Sequence, residues 1–349
     1  MNFYHKQHKY YCGIDLHAKS MYLCILNTEG KAVVHRNIRT DEKYFLKVLE
    51  PYREDVVVGV ECMFSWYWLA DLCVQQGIEF TLGHCLYMRA IHGGKAKNDK
   101  IDSKKIATLL RGGMFPTAYV YPREMRSARD LMRRRIHFAR KRADLIRHVQ
   151  ICRIQYNLPE FKRNVRNRYG NSRDGITELF EDEFVRQSVD ADMLTIDHYD
   201  GVLKTLERNI LKAAKSHDAE SLRLLQPIHG VGDILALTIL YEMHTVERFP
   251  RVQEFLSYCR LVKCKKESAG KSYGTSGRKI GNAHLKWAFS EAAVLFLRGN
   301  EPAQKYLARL ERKHGKAKAI TILARELATS VYFMLKKKRS FDSEKFFRR

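Results

Sequence analysis

The chain has 349 residues, 45% of them hydrophobic and only 7 of them proline, enough for two or three domains with substantial cores and unlike a long disordered polymer. No run of about 18 uncharged apolar residues occurs, and the opening MNFYHKQHKYY has no apolar signal core, so neither a membrane span nor a secretory leader is expected. The 63 Lys and Arg outnumber the 39 Asp and Glu to leave a formal charge of +24, which favours a polyanionic partner, nucleic acid before membrane. Eight cysteines, at 12, 24, 62, 73, 85, 152, 259 and 264, include no CxxC pair and read as free thiols of a reducing cytoplasm.

From Lys9 to about Pro122 strands and helices alternate. Tyr10–Leu16, Met21–Asn27 and Lys31–Asn37 read as antiparallel strands joined by the turns HAKS and TEGK. Asp41 caps a helix to about Tyr52. Asp55–Glu61, DVVVGVE, is a buried strand, followed by the aromatic helix SWYWLADLCVQQG and the strand EFTLGH. Asp99–Gly113 is a helix ended by glycine. A meander followed by this alternation predicts an α/β layer fold for residues 1–122.

At Arg123 the period becomes helical. Ala128, Met132, Ile136, Ala139, Ala143, Ile146 and Val149 form one apolar seam. Arg126, Arg129, Arg133, Arg134, Arg140, Lys141, Arg142 and Arg147 occupy the other faces. This predicts a basic helical hairpin or coiled coil over 123–220, with Arg129, Arg133, Arg140 and Arg142 on phosphates. Residues 174–200 are acidic and read as a connection, with Asp190 and Asp192 solvated, before a helix from about Tyr199 to Lys215. A second folded unit, mostly helical, is expected over 221–349. It holds the turn Gly230–Gly232, the basic loop KCKKESAGKSYGTSGRKI, a helix capped by Asn282, and two last helices with a frayed basic end.

Asp15 sits inside an otherwise apolar strand, where a lone carboxylate is costly unless paired, protonated or metal-bound. Glu61 ends a buried strand, and Asp99 and Asp102 share one helix face. Singly these are explained as a turn acid, a strand-end acid and a helix cap. Four acids at one sheet edge would instead raise each other's pKa unless divalent cations sat among them. Oxygen ligands suit Mg²⁺ or Mn²⁺, and two ions about 3.5–4 Å apart clamp the attacking and leaving oxygens of a phosphodiester. Lys19, Lys95, Lys97 and Lys100 would hold the backbone nearby.

The stretches YCGIDLHAKSMYLCIL, VGVECMFSWYWLADLC and KAKNDKIDSKKIATLLRGG resemble the three acidic motifs of the DEDD transposases, the insertion-sequence one-ten family. The resemblance implies a RuvC-like N-terminal domain of the ribonuclease H class. Its four acids fall on Asp15, Glu61, Asp99 and Asp102. IHGVGDILALTILYEM is similar to the family's PGVG element, with His229 where proline is usual. LSYCRLVKCKKESAGKSYGTSGRKIGNAHLKWAFSEAA looks like its C-terminal transposase domain, in which the nucleophilic serine falls on Ser268, with Ser272 and Ser276 as alternatives. Arg260–Leu261 and Lys263 depart from the common AGLVP. Lys271 and Arg278 in this loop are candidate phosphate contacts, and His284 a distant candidate base.

A serine hydroxyl needs activation by a base or metal. The family implies a composite site in which the acids and the serine act together through a phosphoserine–DNA intermediate. It also implies a structured bridge RNA that pairs with donor and target DNA, dimers and tetramers, and a nucleoid-associated setting. The rival readings are a RuvC-like nuclease using water, a DNA invertase of the same chemistry, and a non-catalytic RNA- or DNA-binding scaffold.

Overall fold

The structure, a computed structural model, describes residues 2–91, 98–161, 165, 173, 175–262, 267–273 and 280–348. Lys95, Lys97, Cys264, Ser276 and Arg278 lie outside these. The chain divides into two compact units, Met1–Arg123 and Glu124–Arg349.

In the first unit a two-residue strand, β1 (Phe3–Tyr4), precedes the expected meander of β2 (Tyr10–Leu16), β3 (Ser20–Asn27) and β4 (Ala32–Arg39). Helix α1 (Glu42–Leu49) follows, capped by Asp41 as expected. Then come β5 (Val56–Glu61), α2 (Tyr67–Gln75), β6 (Glu79–Gly83), α3 (Cys85–Ile91), α4 (Asp99–Arg111) and β7 (Phe115–Ala118). The seven strands make one sheet in the order β1-β7-β6-β5-β2-β3-β4. Strands β2, β5 and β6 are parallel neighbours, and the remaining pairings are antiparallel. This is the mixed α/β sheet that the pattern predicts, in keeping with the ribonuclease H-like class that the family resemblance implies.

Period-two alternation sorts side chains between the two faces of the sheet. Cys12, Ile14, Val58 and Val60 point into a core completed by Phe45 of α1 and Leu69 of α2. On the other face Tyr11 and Val57 meet Ile106, Leu109 and Leu110 of α4. Gly13 and Gly59, register partners on the central parallel strands, lie under that helix. A Cβ on Gly13 would come 2.3 Å from the Ala107 nitrogen and 2.4 Å from the Ser103 oxygen, and one on Gly59 would strike the Leu110 side chain. The two glycines make a trough that lets the helix backbone lie against the strands, a use of glycine that β-branched neighbours cannot supply.

The second unit is helical: α5 (Arg123–Gln155, its first residue assigned to the first unit), α6 (Glu183–His217), α7 (Ala219–Leu225), α8 (Asp233–Met243) and α9 (Val252–Tyr258). A hairpin of β8 (Glu267–Ser268) and β9 (Lys271–Ser272) precedes α10 (Ala283–Phe296), α11 (Glu301–His314), α12 (Lys316–Lys337) and α13 (Ser343–Phe347). The predicted seam on α5 is buried at Ala128, Met132, Ile136, Ile146 and Val149. Ala128 and Met132 join Ile210 and Ala214 of α6, while Ile146 and Val149 join Val189, Met193 and Ile196, so the two helices form an antiparallel hairpin.

Three expectations are corrected here. Residues 183–200 are not a connection: Asp182 caps α6, Asp190 is exposed as expected, and Asp192, Asp197 and Asp200 face cations. Asp192 accepts from His148 at 2.5 Å rather than standing in solvent, and Asp200 pairs with Arg142 and Arg173. Arg129 and Arg142 are buried rather than spread over a phosphate-facing surface, and Arg133 and Arg142 are spent on internal carboxylates. The tail is not frayed, because Phe346 is buried against Phe296 and Tyr306. The Gly230–Gly232 turn has a packing reason: Gly230 has φ +78°, and a Cβ there would meet the α10 backbone at 2.6 Å.

Candidate active site

The site in the first unit follows from register. Ile14 pairs with Val60, so one residue further Asp15 and Glu61 are side by side at the carboxyl edge of two parallel strands. Both share the sheet face of Gly13 and Gly59. That face receives α4, whose Ser103 lies over Gly13, so the helix's first turn, with Asp99 and Asp102, comes over the same edge. Asn98, not Asp99, caps the helix, accepting from the Ile101 N–H at 2.8 Å. The Asp99 carboxylate is therefore free of a capping role, and both acids gain from the positive end of the helix.

Asp15, His17 and Asp99 each offer one ligand atom, and these atoms lie within 4.8 Å of one another. His17 Nε2 is 3.5 Å from Asp15 Oδ2 and 3.6 Å from Asp99 Oδ2. Burial lifts the Asp15 carboxyl above its ordinary value; nearby His17 pulls it down, while Asp99 and Asp102 push it further up. Asp102 is 3.8 Å from Lys105. Glu61 lies against the Cys85 thiol, whose pKa is raised by its contact with Cys62, by burial and by Glu61. Thus the structure brings Asp15 and Asp99 into one ligand cluster, with Asp102 in electrostatic reach and Glu61 beside Asp15 along the edge. Lys19 and Lys100 are exposed.

His17 is the site residue that sequence reasoning missed. It stands two positions after Asp15, just beyond the end of β2, where its imidazole reaches both Asp15 and Asp99. Two carboxylates and an imidazole that converge within 4.8 Å form a donor set that fits a divalent ion.

In the second unit Ser268 is the last residue of β8, beside the two-residue hairpin turn, and pairs with Lys271 of β9. The turn residues Ala269 and Gly270 have φ of 49° and 74°, as a tight hairpin of this kind requires. Ser268, Lys271 and Ser272 are all exposed; Ser268 shares its face of the hairpin with its pairing partner Lys271, and Ser272 lies on the other face with Glu267. His284 caps nothing; it lies in the first turn of α10, where burial holds its pKa down and Arg133, Arg140 and Arg129 oppose its protonation against the pull of Glu242. Arg140 is exposed on α5. Arg133 instead donates to Glu242 through Nε and Nη2 at 2.6 and 2.7 Å, and Arg142 donates to Asp200 at 2.5 Å.

A mixed α/β sheet of ribonuclease H-like kind with carboxylates gathered at its carboxyl edge, followed by a basic helical unit, is an arrangement suited to enzymes that act on nucleic acid. Comparison with known families gives the particular kind. Residues 12–153 match the DEDD-type IS110 transposase model, and residues 222–308 match the Transposase IS116/IS110/IS902 family. The chain belongs to the IS110 family of transposases and is a DNA transposase or recombinase. No curated protein matches it. No helix among the described residues is long and apolar enough to cross a membrane.

Proposed function

We propose that this transposase cuts and rejoins DNA with Ser268 as nucleophile and with Asp15, Glu61, Asp99 and Asp102 as the acids of the DEDD site. The observation that carries this reading is the convergence of Asp15 and Asp99 at the carboxyl edge of the sheet, with a histidine and not an arginine in ion-pair range of both among the described residues. Those acids, with His17, would hold Mg²⁺ or Mn²⁺, which when bound stabilises the charge on the attacked phosphate. Ser268 Oγ bonds to phosphorus, one deoxyribose oxygen leaves and takes up a proton, and the serine proton passes to solvent. A hydroxyl of the second strand reverses the step and frees the serine, so no high-energy cofactor is consumed. Lys271, and Lys95, Lys97 and Arg278 outside the described residues, would hold the backbone; Arg140 is the exposed candidate on α5.

The +24 charge suits RNA as well as DNA, and we read the chain as guided by a structured bridge RNA and acting as a homo-oligomer. Incubation with DNA carrying the element's ends and Mg²⁺, followed by denaturation, should give a serine-linked adduct that Ser268→Ala abolishes. Cutting that survives in Ser268→Ala without an adduct would mean water attacks. Unchanged recombination in Asp15→Asn would end the metal-site reading and support the scaffold alternative. RNA that copurifies with the protein and pairs with the element's flanks supports guidance; protein that recombines free of RNA contradicts it.

A further inference from the structure

Helix α8 is apolar along its length, Leu235, Ala236, Leu237, Ile239 and Leu240 all being buried, and yet it ends with a carboxylate, Glu242, at 0% exposure. Burial alone would raise its pKa; the Arg133 guanidinium and the Asn282 amide outweigh that and hold it below the ordinary glutamate value. Arg133 reaches it from α5 with two bonds, and Asn282 Nδ2 donates to Glu242 Oε2 at 2.7 Å. An ion pair so placed is weak support for stability, since apolar residues of like volume often serve as well or better. It does fix geometry, because each member accepts only one arrangement of the others.

What it fixes is the neck of the segment that carries Ser268. Asn282 caps α10, its Oδ1 accepting from the His284 and Leu285 N–H groups at 2.8 and 3.1 Å. Its own N–H donates to the Tyr258 oxygen at 2.6 Å, which ties the end of the segment to the end of α9. Arg260 Nε donates to the Gly281 oxygen at 2.9 Å across the same neck. Gly281, at φ +95°, presses against the carbonyls of Tyr258 and Ser257 so closely that a Cβ would stand 2.6 Å from the former. The chain therefore leaves at Cys259–Arg260 and returns at Gly281–Asn282 through one pinned point, and Glu242 holds the returning side to α5.

We infer that Glu242, clamped by Arg133, is a positioning residue for the nucleophile: through Asn282 it sets the neck from which the Ser268 hairpin projects. This rests on the reading of Ser268 as nucleophile. Glu242 is fully buried and out of reach of a ligand, so its effect falls on the rate of serine attack and not on affinity. A misplacement of about 1 Å at a reacting atom costs about 10²-fold.

The test uses the full-length protein, a duplex with the element's ends and Mg²⁺, and follows DNA affinity, first-turnover adduct formation at saturating DNA, and hydrogen exchange of Glu267–Ser272. Glu242→Gln is expected to bind DNA as the parent does, to form adduct about 10²-fold more slowly, and to exchange faster in the hairpin; Glu242→Asp, which keeps the charge, should recover part of the rate. Should the Gln variant fail to fold, the double variant Arg133→Met/Glu242→Met, which leaves no charge buried alone, decides. Adduct formation at the parental rate in the folded Gln or double variant, while Ser268→Ala forms none, overturns the inference and leaves the serine reading standing. Adduct that persists in Ser268→Ala overturns the serine reading and this inference with it.

Discussion

The two units treat their buried acids in opposite ways. In the second, Glu242 and Asp200 are met by Arg133, Arg142 and Arg173, each carboxylate matched by guanidinium groups that cancel its charge in place. In the first, half-buried Asp15 faces Asp99 and Asp102, relieved among the described residues by one histidine at 3.5 Å. An acid answered by arginine is complete and serves the fold. Acids gathered against one another store repulsion that a cation relieves, and such a cluster is suited to chemistry.

The sharpest way to break this contrast is Gly13→Val. The new side chain starts 2.3 Å from the Ala107 backbone nitrogen, so α4 must lift, carrying Asp99 and Asp102 away from Asp15. We expect a loss of about 1–3 kcal/mol in unfolding experiments together with loss of adduct formation. Gly59→Ala, whose nearest neighbour is the Leu110 side chain and not backbone, should cost less and keep activity. If Gly13→Val were as active and stable as the parent, the trough would not be what places the acids.

Arg142→Ala probes the other side of the comparison. It takes one of the guanidinium partners from Asp200, which is about 11% exposed in its side chain and keeps Arg173. Removing one partner of a buried pair costs about 3 kcal/mol, visible as a lower melting temperature, while adduct formed per folded molecule stays at the parental level. A drop in DNA affinity with unchanged stability would return Arg142 to the phosphate-binding role that its sequence context suggests.

The smallest effect is in acid. The folded-state pKa of Glu242 lies below its ordinary 4.5, so its contribution to stability is complete above that pH and lost as pH falls through the depressed value. The acid limb of the unfolding curve should therefore flatten in Glu242→Gln. An unchanged limb would show that other carboxylates carry it.

Much of the first unit was legible because its elements obey strict local rules. Alternation fixed β2 and β3, Asp41 marked a cap, and an acid inside an apolar strand advertised Asp15. The arginines of α5 were less so: helical spacing showed that they lay off the seam, but only the partner helices decide whether a guanidinium meets water or Asp200, Glu207 and Glu242. The acidic half of α6 misled for the same reason, since Asp192, Asp197 and Asp200 are matched by His148, Arg142 and Arg173 from outside the helix. Glu242 stood in plain sight at the end of an apolar helix, and nothing local distinguished it from a surface acid at a helix end.

The central claim is that Asp15 and Asp99 gather to hold a divalent ion. Titration of the full-length protein with Mn²⁺, followed by electron paramagnetic resonance without DNA, tests it most directly. The account predicts saturable binding in the parent and in Ser268→Ala, sharply weakened in Asp15→Asn and Asp99→Asn. Binding that is indifferent to both substitutions would contradict it.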